Sequence, residues 1–98
     1  MVKYAIVARV EAKPGKEEAV EQFLKSAISL AEEEKETISW YALKIGPSTF
    51  GVFDTFNDEA GREMHLKGKI AAALMQHADE LFSKPPVIEK VELLAVKA

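Results

Sequence analysis

Hydrophobic positions along the chain alternate, then recur at helical spacing, then alternate again. Residues 2–12 read VKYAIVARVEA, with Tyr4, Ile6, Ala8 and Val10 apolar and Lys3, Ala5, Val7, Arg9 and Glu11 mixed. A period of two predicts a strand buried mainly on one face. Lys13-Pro14-Gly15-Lys16 is turn chemistry and ends it. From Glu17 to about Glu36 the period lengthens: Val20, Phe23, Leu24, Ala27, Ile28 and Ala31 fall on one helical stripe, with Leu30 at its edge. Glu17 and Glu18 suit the first turn. Glu32, Glu33, Glu34 and Glu36 crowd the last turn, where the helix dipole disfavours acids. That acidic end reads as a solvated terminus, with a cation site as the alternative.

Ile38 to Ile45, ISWYALKI, is rich in β-branched and aromatic types and predicts a strand. Gly46-Pro47-Ser48 turns the chain, and Thr49 to Phe56, TFGVFDTF, returns antiparallel. Phe50, Val52, Asp54 and Phe56 share one face of it; Gly51, Phe53 and Thr55 share the other. Asn57 is an N-cap candidate for a short helix to about Leu66, which Gly68 breaks. A further helix runs from Lys69 to about Phe82, with Ile70, Ala73, Leu74, His77, Ala78 and Leu81 on its stripe, and Pro85-Pro86 ends it. Met64, Met75 and Phe82 read as packing. Val87 to Val96 is the last strand.

The order strand, helix, strand, strand, helices, strand specifies an α+β fold of the ferredoxin-like split βαβ kind, a four-stranded antiparallel sheet with helices on one face. Ninety-eight residues suit one domain over 1–98, burying roughly 65% of the unfolded surface. Several strands carry large apolar groups on both sides. An uncovered face would cost about 25 cal/mol per Å² of apolar area left in water. The pattern therefore predicts a homodimer whose two sheets close into a shared barrel.

Charge narrows the partners. Thirteen basic and 16 acidic residues give a net charge of −3, which argues against nucleic acid. There is no cysteine, hence no disulfide, thiolate metal site or cysteine nucleophile. No apolar run approaches the roughly 18 residues that span a bilayer, so no membrane partner is expected. The opening Met1-Val2-Lys3-Tyr4 lacks the layout of a secretory signal, which points to a cytoplasmic protein.

The candidates for chemistry are few. His65 near the end of the short helix suits a general base or hydrogen-bond donor near pH 7, or a helix-end histidine meeting terminal carbonyls. His77 lies on an apolar stripe and reads as half-buried and structural. The two histidines lack metal-pair spacing, so no metal is expected. Asp54 is the one carboxylate in an otherwise apolar strand and needs a partner (Arg9, Arg62, Lys44 or His65) or an exposed edge. With a histidine it would form either an acid/base pair or a structural ion pair. Trp40 and Tyr41 are neighbours in a strand and face opposite ways, as core, as interface or as a wall for a flat ligand. No nucleotide, serine-hydrolase or zinc-protease motif is present.

Phe50-Gly51-Val52-Phe53-Asp54-Thr55-Phe56-Asn57-Asp58-Glu59-Ala60, then Arg62 and His65-Leu66, resembles the antibiotic biosynthesis monooxygenase-type domain. Lys13-Pro14-Gly15-Lys16-Glu17-Glu18 and Val91-Glu92-Leu93-Leu94 are similar to it as well. The resemblance implies a dimeric α+β barrel and a cofactor-independent monooxygenase acting on a small quinol or phenol. It places the ligand between sheet and helices, with His65 as base assisted by Asp54, and Trp40, Phe53 and Phe56 as pocket. The haem-degrading members use Asn, Trp and His. Here the first strand offers no Asn, Phe56 stands at the Trp position and the haem-ligand position falls near Ala73 or Leu74, so haem is disfavoured and no cofactor is expected. Two alternatives carry weight: a non-catalytic small-ligand-binding or stress-response module, and an isomerase or degradative enzyme for a small carbonyl compound. The last would need Arg9 or Arg62 turned inward to hold an anion.

Overall fold

The computed structural model describes residues 2–97. Strand β1 (Tyr4–Glu11) is followed by helices α1 (Glu17–Ser26) and α2 (Ile28–Glu33), then strands β2 (Thr37–Lys44) and β3 (Thr49–Phe56). Helices α3 (Glu59–Leu66) and α4 (Lys69–Leu81) lead to strand β4 (Val87–Glu92). The sheet order is β2-β3-β1-β4 with every neighbouring pair antiparallel, which is the ferredoxin-like arrangement expected from the pattern.

Register sorts the side chains by face. Ile6 and Trp40 stand on either side of Asp54, Tyr4 pairs with Phe56, and Val10 pairs with Phe50. These residues share the helix-covered face, because directly opposed residues point the same way. At the Val10–Phe50 end the core is wholly apolar and includes Val20, Leu24, Leu74, Leu81 and Phe82. Asp54 and Phe56 lie toward the other end, both fully buried. The close approach of β1 and β3 depends on Gly51, where an added Cβ would lie 2.7 Å from the Ala8 carbonyl oxygen.

Several expectations are corrected. The long helix is interrupted at Ala27, where Ser26 Oγ donates to the Phe23 carbonyl and Ser29 Oγ to the Ser26 carbonyl. Such back-bonding competes with the helical ladder. The helix also stops at Glu33, because Glu34 is extended (φ −87°, ψ 107°). The cap of α3 is Asp58 rather than Asn57: its carboxylate accepts from the Gly61 N–H at 2.7 Å. Strand β4 ends at Glu92, well before Val96. Phe82 is buried, but Met64 and Met75 are exposed and pack little.

The other sheet face carries Val7, Tyr41, Leu43, Phe53 and Val87. Tyr41 stacks on Phe53, with ring centroids 6.2 Å apart, yet is 54% exposed. The segment after β4 runs beside this face: Leu93, Ala95 and Val96 line an open cleft of about 410 Å³ with Tyr41 and Phe53.

Candidate functional site: a buried Asp–His–Glu triad

The polar end of the helix-covered face is built around His65. Helix α3 carries Gly61, Arg62 and His65 on its inward side. His65 is buried, with its ring 5.3 Å from that of Phe56. It is therefore not a partly exposed helix-end histidine meeting terminal carbonyls. Its Nε2 lies 2.7 Å from Asp54 Oδ2, and its Nδ1 lies 2.6 Å from Glu34 Oε1. Of the four partners considered for Asp54, the structure selects His65.

Glu34 was missed in the sequence. It sits in the acidic run read as a solvated terminus, but its side chain is only 12% exposed. The extended backbone at Glu34 turns it back toward α3, and Thr37 Oγ1 donates to the same Oε1 at 2.7 Å. Gly61 permits this approach, since a Cβ there would lie 3.2 Å from the Glu36 Cβ and from Asp58 Oδ1. A threonine three residues after a glutamate was the one local hint.

Burial of the imidazole pulls its pKa down, but the contact and charge of Asp54, then those of Glu34, outweigh it and raise His65 from 6.5 to about 9. His65 is therefore an imidazolium at neutral pH, with both nitrogen protons facing carboxylates. Asp54 stays under-satisfied: Oδ2 has the ion-pair contact without an aligned hydrogen bond, and Oδ1 has no partner. Trp40 Nε1, on the strand opposite, is also buried without an acceptor. Such orphaned groups cost about 1–3 kcal/mol each unless something pairs with them.

The remaining predicted site residues divide. Phe56 and Trp40 lie on the Asp54 face. Phe53 lies on the opposite face and takes no part in this site, because adjacent strand residues alternate. Arg62 is buried, but its Nη1 donates to the carbonyls of Ala5 (3.4 Å) and Val91 (3.1 Å), and its guanidinium lies 5.2 Å from the Tyr4 ring centre. It fastens α3 to β1 and β4. Arg9 is exposed. Arg62 Nε, however, is buried without an acceptor. His77 sits edge-on to Phe23 and is half-exposed, as expected of a structural histidine.

A cavity of about 190 Å³ lies between α2 and β2, lined by Ile28, Ala31, Glu34, Thr37 and Trp40 among others. Of the triad only Glu34 lines it, with Trp40 alongside. Among the described residues no set of three histidines and acids is arranged to hold a metal ion, and no helix is long and apolar enough to cross a membrane.

Comparison with solved structures adds the relationship. A crystal structure of a protein of unknown function from Nitrosomonas europaea is 62% identical, spans 100% of this chain and 95% of its own, and superposes with a TM-score of 0.97. This chain belongs to the same family as that Nitrosomonas protein. Two more distant structures, each named "putative antibiotic biosynthesis monooxygenase", share the fold. The one from Nitrosomonas europaea has a TM-score of 0.81 at 13% identity, over 94% of this chain and 90% of its own. That from Caulobacter crescentus has a TM-score of 0.78 at 15% identity, over 96% and 92%. No family model and no curated protein matches the chain.

Proposed function

We propose that the protein is a cofactor-independent monooxygenase that oxidises a small quinol or phenol at the Asp54–His65–Glu34 end of its sheet. The observation that carries this reading is the fully buried Asp54, whose Oδ1 has no partner although an imidazolium sits beside its other oxygen. A hydroxyl proton is the complement of that oxygen. With His65 already protonated, the open acceptor at neutral pH is Asp54, and His65 holds Asp54 in place and balances its charge. Fold-level likeness to structures named as monooxygenases supports the same reading by analogy.

The chemistry balances with oxygen as sole oxidant. Asp54 takes the hydroxyl proton, and the resulting anion is electron-rich enough to pass an electron to O₂. One oxygen atom then replaces a ring hydrogen as a hydroxyl, the quinol becomes a quinone, and the other oxygen leaves as water with two substrate hydrogens. The buried setting excludes bulk water and strengthens each electrostatic contact. Trp40 and Phe56 supply apolar surface for a flat ring. In this reading a second copy covers the face carrying Tyr41, Leu43 and Phe53, and so holds the sheet rigid beneath the site.

The test is oxygen uptake and product formation with a panel of quinols and phenols, for the native protein and for Asp54→Asn. Asparagine keeps the shape and an acceptor oxygen but cannot take a proton. The expected result is uptake by the native protein and a loss of at least about 100-fold in the variant, the scale of a lost general base. Uptake unchanged in the variant, or none with any member of the panel, overturns the proposal. A non-catalytic binding module is the second reading. It is favoured by the full burial of Asp54 and by the engagement of both His65 nitrogens; binding without oxygen uptake would distinguish it.

A further inference from the structure

We infer that Trp40 Nε1 and Asp54 Oδ1 form a slot for one neutral hydroxyl group, which donates to Asp54 and accepts from Trp40. The inference rests on the proposed function for its location and extends it to the kind of ligand admitted. Three observations carry it. Trp40 and Asp54 are directly opposed across β2 and β3, so both side chains leave the same sheet face side by side. One has a buried donor without an acceptor and the other a buried acceptor without a donor. Trp40 and Glu34, though not Asp54, also line the cavity of about 190 Å³ between α2 and β2.

Only a group that is donor and acceptor at once pairs with both atoms, and a hydroxyl is such a group. An ether oxygen accepts from Trp40 but leaves Asp54 unpaired. A carboxylate or phosphate fares worse. Asp54 and Glu34 flank one cation, His65, while Arg9 is exposed and Arg62 directs its Nη1 to the Ala5 and Val91 carbonyls. An anion would therefore meet a net negative site. The slot selects phenols, quinols or alcohols and rejects acids.

Trp40 is the chain's single tryptophan, so one indole N–H resonance reports on the slot alone. The experiment is an anaerobic titration of the native, ¹⁵N-labelled protein with phenol, anisole and benzoate, following that resonance. Phenol is expected to move it saturably. Anisole and benzoate are expected to bind at least about tenfold more weakly, the cost of one buried group left unpaired. Anisole equal to phenol, benzoate equal to phenol, or an indole signal unmoved by phenol each overturns the slot, the last because water alone then pairs with these atoms. Trp40→Phe, with circular dichroism to confirm folding, should weaken phenol binding about tenfold as read from ligand-observed spectra. No oxygen is present, so the result stands apart from turnover: phenol selectivity without oxygen uptake keeps the slot and removes the monooxygenase, and uptake with an unmoved indole does the reverse.

Discussion

Taking an imidazole out of water disfavours its charged form; two carboxylates within 2.7 Å favour it. At His65 the second effect is larger, which has consequences for stability. A pKa raised from 6.5 to about 9 means that the folded state holds a proton the unfolded chain releases. The stabilisation is complete below pH about 6.5 and is lost as pH rises through about 9. Urea midpoints measured from neutral pH to about pH 10 should fall for the native protein, and that fall should be shallower for His65→Asn, which does not titrate. Removing the imidazole altogether strands Asp54. His65→Ala is expected to lose about 3–5 kcal/mol, the scale for a buried charge left unpaired, measured by chemical denaturation. Asp54 was legible as a residue needing a partner because a carboxylate between Phe53 and Thr55, with Val52 and Phe56 on its own face, is costly to bury alone. Glu34 was not legible. In the run Glu32-Glu33-Glu34-Lys35-Glu36 nothing in residue type separates the one acid that turns inward from those that do not.

Among the elements, α3 matters most, because eight residues carry both the triad histidine and Arg62. Its start is fixed by Asp58, and Asp58→Ala should cost about 1 kcal/mol by denaturant titration. Gly61 sets how near the Glu34–Glu36 segment comes to this helix. Gly61→Ala should push that segment outward and weaken the Glu34–His65 contact, so the His65 pKa should drop toward 6.5 while the Asp54 contact remains. Alternation placed β3 to the residue and sorted Trp40 from Tyr41, since period two leaves little freedom. Helical periodicity did less well at the ends. The apolar stripe continues through Ala27, so the interruption there was invisible. The serine hydroxyls that bond back to carbonyls read, by type alone, as ordinary surface residues. Apolar Leu93, Leu94 and Val96 extend the pattern of β4 past its end, but beyond Leu93, whose N–H still donates to the Lys3 carbonyl, the chain leaves the ladder and Leu94 is exposed.

Over the whole molecule, two kinds of interior share one sheet: an apolar core at the Val10–Phe50 end and a charged triad at the Asp54–Phe56 end. The first holds the fold. The second leaves polar atoms unpaired, as sites for chemistry tend to do. The outer face exposes Tyr41, Leu43 and Val87 beside the segment after β4. On the proposal that a second copy covers it, sedimentation at micromolar concentration should show a dimer, and Tyr41→Glu with Leu43→Glu should shift it to monomer; native single chains would refute that part. Base assignment and loss of stability in alkali both rest on one charge, the imidazolium at His65. The direct measurement is the pH titration of its ring ¹⁵N shifts, assigned with His65→Asn. A midpoint near 9 with both nitrogens protonated at neutral pH is the predicted result; a midpoint near 6.5, or a neutral ring at pH 7, would contradict the account.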